Sequence, residues 1–344
     1  MTQTSEQASR SPRRELLIGV SASGVMHHDP LEFDVETRFR MVSEAGVFDY
    51  LDKTPPVQDL PQYRRAVEKY GLPLTAGGFY YSLGRDEPLL EWHLRLGREF
   101  GTRVHNVQIM SRDVEDRPVT DDEVATAYLR AAEVGEEVGV TPCFEVHVNM
   151  WSEHFGRIQR VAEAVERRGV KFNMTLDHSH VIFKIDNPEA QEVQGMRADV
   201  DAGRIELDPF KPGSVCQHWI DRGWVHHAHA RAAVPNGPQN VWMLGDNGKP
   251  GRGIQYPFVR PRPGEWHSEW DEAKLEPWKE VVRQLMRHQA RGPASVPATI
   301  STEFIPSPDY GGGAKYSVFE QNIACAKWLR ETWNAVSSVP SSEA

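Results

Sequence analysis

Short apolar runs alternate with amphipathic stretches along this chain from Leu16 to Trp333. Eight runs read as strands: Leu16–Ser21, Phe48–Leu51, Leu72–Tyr81, Val104–Met110, Cys143–Trp151, Phe172–Asp177, Val225–Arg231 and Ala298–Phe304. Between them, apolar residues recur at helical spacing. The clearest case is Asp121–Val138, with Val124, Tyr128, Leu129, Ala132 and Val138 on one face. Asp34 predicts a cap for a helix running through Arg38, Met41 and Ala45, and Gly71 a stop for a helix over Leu60–Tyr70. Glu87–Phe100, Glu153–Arg168, Glu272–Gln289 and Ser317–Trp333 also read as helices, with shorter pieces near Ala190–Val200 and Val215–Asp221. Ala232–Trp270 is rich in Gly, Pro and Trp, lacks periodicity, and predicts a long functional loop. Strand–helix repetition of this kind predicts an α/β chain closed into a (β/α)8 TIM barrel rather than an open sheet. One barrel domain is expected over 15–336, with flexible tails at 1–14 and 337–344.

Composition narrows the function. Of 344 residues, 39% are hydrophobic, enough for a sizeable core. A net charge of -10 argues against a general nucleic-acid binder but leaves room for a local basic pocket. Cys143, Cys216 and Cys325 lie far apart, with no C-x-x-C, which fits buried thiols in a reducing compartment and a cytoplasmic location. Met1–Arg14 has no apolar core of a secretory signal, and no stretch is long enough for a membrane span. The first strand is not followed by a strong glycine-rich fingerprint, which weakens a dinucleotide-binding reading.

The chemistry centres on the fifth run, where Glu145, His147 and Asn149 alternate onto one face of the expected strand. A buried carboxylate beside an imidazole needs a partner, and a divalent ion is a suitable one. Later strand ends repeat the theme with Asp177, His229 and Glu303. In a barrel these ends converge on one mouth. Three carboxylates and an imidazole suit a hard or borderline dication: Mn²⁺ or Mg²⁺ foremost, then Co²⁺ or Zn²⁺. His27, His28, Lys53, Tyr80, Tyr81 and Gln108 are further candidates at the mouth. Trp151, Trp242 and Trp266 are candidates for stacking on a ring, and Arg231 for pairing with an oxyanion or carboxylate.

The strand-end order Glu, Asp, His, Glu resembles the xylose isomerase-like barrels. So do Asp177-His178-Ser179-His180, matching a D-x-x-H motif, and the Gly251-x-Gly253 loop. That family includes tagatose-type sugar epimerases, hydroxypyruvate isomerase, inosose dehydratase, C-glycoside deglycosidases and endonuclease IV. The resemblance covers roughly Leu16–Trp333. It implies Glu145, Asp177, His229 and Glu303 as metal ligands and His180 as a substrate or supporting residue. The sequence departs from the family where many relatives read H-x-K-D, since here the residues are His229-Ala230-Arg231-Ala232. His227 shares the face of His229, so the ligand assignment could slip by two residues, and His227 is otherwise a substrate contact. The segments Ala233–Asp246 and Val259–Trp270 look larger than a simple epimerase needs, suiting a lid or a subunit contact.

Two activities follow from this reading. One is a metal-dependent isomerase or epimerase acting on a keto-sugar or polyol-like substrate, with Glu145 and Glu303 moving the proton. The other is a lyase, a dehydratase or 3-keto-glycoside-cleaving enzyme, which begins alike but expels a β-substituent. His147 favours the second, as a base about 7 Å along the strand from Glu145. The resemblance implies that a phosphodiesterase like endonuclease IV would need further histidines at the ends of the third and fourth strands, where this chain reads GGFYY and NVQIM. A non-catalytic sugar-binding barrel is the remaining alternative. The expected partner is a small sugar-like molecule, with a homo-oligomer or accessory subunit left open.

Overall fold

The computed structural model describes residues 13–27 and 33–338. Its strands are β1 (Leu16–Ser21), β2 (Tyr50–Asp52), β3 (Ala76–Tyr81), β4 (Val104–Ile109), β5 (Thr141–Glu145), β6 (Met174–Asp177), β7 (Val225–Ala230), β8 (Asn240–Leu244), β9 (Pro250–Gly251) and β10 (Ala298–Thr302). Eight of these form a closed parallel barrel in the order β1-β10-β7-β6-β5-β4-β3-β2, and β8 with β9 forms a separate antiparallel hairpin. Apart from the exposed Phe79 and Tyr80 of β3, the barrel strands are largely buried, because their inner faces fill the barrel and their outer faces meet helices.

The helices are α1 (Val35–Ala45), α2 (Leu60–Tyr70), α3 (Glu87–Glu99), α4 (Asp121–Val138), α5 (Phe155–Glu166), α6 (Ser179–Ile182), α7 (Pro188–Glu192), α8 (Arg197–Asp201), α9 (Val215–Asp221), α10 (Glu276–Gln289) and α11 (Val318–Val336). Their starts obey the expected chemistry. Asp34 accepts the Thr37 N–H at the head of α1, and Thr120 and Glu123 form a reciprocal capping box on α4. Gly71 ends α2 with φ 64°, a conformation that costs glycine little. Among the described residues no helix is long and apolar enough to cross a membrane. The three cysteines are free and buried.

Register explains what points inward. Asp177 pairs with His229, and His229 with Ser301, so these residues share one level of the barrel. Below them Tyr50 fills the interior. A Cβ on Gly19 would come within 2.0 Å of the Tyr50 ring, so the missing side chain at 19 makes room for it.

Three expectations are corrected. The run Cys143–Trp151 is a strand only as far as Glu145. Beyond it, the Ser152 hydroxyl donates to the Glu145 carbonyl (2.6 Å) and accepts the His147 N–H (3.1 Å). Asn149 turns the chain with φ 66°, and its N–H is taken by Glu153. His147 and Asn149 therefore sit in a loop rather than along one strand face. The stretch 232–270 is not wholly irregular, since it holds the β8–β9 hairpin. Val241–Leu244 are all exposed, so no inside–outside alternation marks the strand. Finally, Arg14, expected in a flexible tail, donates to the carbonyls of Val296 and Gln289; α11, expected to close at Trp333, runs on to Val336, the last residue of the expected domain. The rest of the expected tails, 1–12 and 339–344, lies outside the described residues, as does His28.

Candidate metal centre

Four consecutive barrel positions bring their strand ends together. Glu145 closes β5, Asp177 closes β6, His229 lies near the end of β7, and Glu303 follows β10. One donor atom from each lies within 4.8 Å of every other. His229 Nδ1 is 2.9 Å from Glu145 Oε1 and 3.1 Å from Glu303 Oε2. Cis ligands on an octahedral ion with bonds of about 2.1 Å stand about 3.0 Å apart, and trans ligands about 4.2 Å. The donor set, its spacing and its burial therefore fit one divalent ion.

Each donor is held by its own neighbours. Glu145 Oε2 accepts from Asn106 and Gln108, both at 2.6 Å, from successive inward positions of β4. Asp177 Oδ1 accepts the Ser179 hydroxyl (2.6 Å) and N–H (3.0 Å). Its Oδ2 lies 2.8 Å from Arg231 Nη2 and 3.3 Å from His180 Nε2. Arg231, 1% exposed, reaches on to Glu303 Oε2 at 2.5 Å. Three carboxylates against one guanidinium leave two negative charges, which a dication balances with His229 neutral.

The electrostatics agree. Burial alone would raise the Glu145 carboxyl, but His229 beside it brings it down to about 2. Burial is likewise outweighed at Asp177, which Arg231 and His180 hold well below the usual carboxylate range. For His229 burial pulls down, yet Glu303 and Glu145 push the imidazole well above its ordinary value.

The other candidates fall into three groups. His180 and Arg231 line the same centre, and Gln108 is anchored to it through Glu145. His147 lies beside it, its ring centroid 4.2 Å from that of His180. Its Nδ1 is 2.6 Å from the Val148 carbonyl, which can only accept, so Nδ1 carries the proton and Nε2 faces the Tyr310 hydroxyl at 3.3 Å. His227 is not with the carboxylate cluster; it faces Asp52 and Thr299 one level deeper. Trp151 is corrected outright. It is 2% exposed and packs in the hydrophobic core, because the chain has already left the strand. Trp266 is buried against Tyr256 and Tyr316, whereas Trp242 remains half-exposed. Tyr80 is exposed and stacks on Phe79, and Tyr81 is buried behind the barrel wall between His93 and His105. Exposed His27 meets Ser317. A cavity of about 580 Å³ is bordered by Lys53, Trp242 and Ile305 among others, and none of the four donors lines it.

Sequence reasoning missed Asp52, Asn106, Ser301 and Tyr310. Asn106 was signalled by its two-residue offset from Gln108, and Ser301 by the same offset from Glu303. Tyr310 carried no signal, since it reaches the centre from a loop, with its ring 4.1 Å from the Arg231 guanidinium carbon.

Fold and cluster together define a (β/α)8 barrel with an acidic, histidine-containing centre at the C-terminal ends of its strands. More narrowly, the fold is the xylose isomerase-like TIM barrel. A protein of that description from Mycobacterium smegmatis, solved in complex with magnesium, superposes with a TM-score of 0.54 at 11% identity, over 94% of this chain and 97% of its own. D-allulose 3-epimerase from Methylomonas sp., in complex with D-allulose, gives 0.53 at 12% identity, over 93% and 98%. A probable 3-DHS dehydratase from Bacillus anthracis gives 0.51 at 14% identity, over 91% and 98%. No family model matches the sequence, and a search of curated proteins found no significant match.

Proposed function

We propose that this protein is a divalent-metal-dependent isomerase or epimerase acting on a small keto-sugar or polyol-like substrate. The observation that carries the reading is the convergence of Glu145, Asp177, His229 and Glu303 with the spacing of ligands around one ion. The oxygen-rich donor set favours Mn²⁺ or Mg²⁺, with Co²⁺ or Zn²⁺ as alternates. The ion supplies Lewis acidity that polarises a substrate carbonyl and lowers the cost of removing the neighbouring proton. Glu145 and Glu303 are assigned as the pair that takes and returns that proton. Glu145 is fixed by two amides, whereas Glu303, 15% exposed, is the more accessible of the two. His180, Arg231 and Gln108 orient substrate oxygens. Metal analysis of the purified protein, followed by deuterium exchange from D₂O into a panel of keto-sugars, tests the reading. Exchange with an intact carbon skeleton is expected, and a protein without stoichiometric metal or exchange would refute it.

A second outcome of the same start is supported by His147. With its proton on Nδ1, its Nε2 is available as a base beside the centre, next to the Tyr310 hydroxyl. This arrangement suits β-elimination, in which the proton leaves and a β-substituent is expelled. His147→Ala should retain the metal while turnover falls by about 10²–10⁴-fold. Near-normal turnover would leave Glu145 and Glu303 as the acid–base pair, and a released leaving group in the substrate panel would identify the lyase.

A further inference from the structure

We propose that Asp52, on β2, is the positioning residue for His229, fixing the imidazole so that Nδ1 is the nitrogen presented to the metal. This rests on the metal reading above. His229 Nδ1 faces Glu145 and Glu303, so that nitrogen must offer its lone pair to a shared ion. The one proton of a neutral ring then sits on Nε2. That atom is buried and forms no hydrogen bond among the described residues, yet Asp52 Oδ2 stands 3.4 Å from it. A carboxylate behind a ligand histidine sets its tautomer and makes the ligating nitrogen more basic.

Asp52 is itself placed by a buried network. The Ser301 hydroxyl donates to Asp52 Oδ2 at 2.6 Å, and the Tyr50 hydroxyl stands 3.0 Å from Ser301 Oγ. His227 Nε2 lies 3.3 Å from the same serine oxygen and 3.6 Å from the carboxylate, while Thr299 Oγ1 meets His227 Nδ1 at 2.9 Å. The neighbouring strands supply each part: Tyr50 and Asp52 from β2, His227 and His229 from β7, Thr299 and Ser301 from β10. The network also gives His227 a use that does not involve ligation. Asp52, His227 and His229 could in principle hold an ion of their own, but His229 would then have to give both ring nitrogens to metals.

Mn²⁺ and Co²⁺ titrations of the wild type, Asp52→Asn and Ser301→Ala test the proposal, read as dissociation constants by chelator competition and as the visible spectrum of the Co²⁺ form. Asp52→Asn is expected to weaken binding by about 10–100-fold and to alter the Co²⁺ spectrum, with the metal-free fold retained by circular dichroism. Ser301→Ala should shift both readouts in the same direction by less, and it decides the matter if Asp52→Asn fails to fold. Wild-type affinity and spectrum in both variants would overturn the proposal. So would two ions in the wild type falling to one in Asp52→Asn, because Asp52 would then be a ligand. A wild type that takes up no ion would refute the metal reading itself, a result distinct from either.

Discussion

Lys184 offers a sharp test of how the loop after β5 is held. Its side chain is 1% exposed, and its ammonium lies 2.9 Å from Glu153 Oε1 and 2.8 Å from the Ala190 carbonyl. Burial pushes its pKa down while Glu153 works in the opposite direction. Glu153 is fully buried, and its other oxygen accepts the N–H of Asn149, two residues beyond His147. Lys184→Met keeps most of the apolar stem and removes the charge. The stranded carboxylate then has Asn149 and, at 3.7 Å, the partly exposed Arg252. Breaking a buried pair from one side costs about 3–5 kcal/mol. Arg252 takes up part of that, which places the expected loss near the lower end, about 3 kcal/mol. At about 2 °C per kcal/mol for a domain of this size, Tm should fall by about 6 °C. Urea denaturation at pH 7 gives the free energy directly. Glu153→Gln combined with Lys184→Met removes both charges and should recover most of the loss. A single variant within about 1 kcal/mol of wild type, or a double variant no better than the single, would refute the reasoning.

Three further outcomes are expected. Glu303→Gln should weaken Mn²⁺ binding in a calorimetric titration and lower activity with it. Stability should fall in mild acid: burial holds His93 at about 4 and His105 at about 3, so as pH drops from the unfolded value near 6.5 the unfolded chain takes up protons first. The contribution is whole above pH 6.5 and drains away towards pH 3–4, and urea midpoints at pH 7 and pH 5 measure it. Gly251→Ala would drive a Cβ to 1.9 Å from the Pro308 carbonyl oxygen, so the hairpin should detach and Lys249 and Arg252 become more sensitive to limited trypsin digestion.

The barrel was legible because its strands are apolar runs at regular intervals and some of its helices carry clean caps, as at Asp34 and Gly71. The cluster was legible because strand ends converge by construction, so Glu145, Asp177, His229 and Glu303 needed only their place in the order. The misses share a cause as well. His147 and Asn149 were read onto one strand face by extending its parity past Glu145, whereas the chain turns there on bonds from Ser152 and Glu153, and the same turn leaves Trp151 in the core. Asp52 was hidden because a single carboxylate at the end of a three-residue strand has no periodicity to betray it. Tyr310 depends on contacts between segments far apart in sequence, which local patterns do not carry.

The hairpin's attachment to the segment after β10 has a consequence for engineering. Asn240 donates to the Pro308 and Gly312 carbonyls, Arg252 pairs with Asp309, Ile254 N–H reaches the Asp309 carbonyl, and Gln255 exchanges two bonds with Ile305. The two segments behave as one cassette, although more than forty residues separate them. Transplanting 232–255 alone into another barrel would strand the donors of Asn240, Arg252 and Gln255, whereas exchanging both segments together would move the hairpin with its seat and with Tyr310, whose ring lies against Arg231.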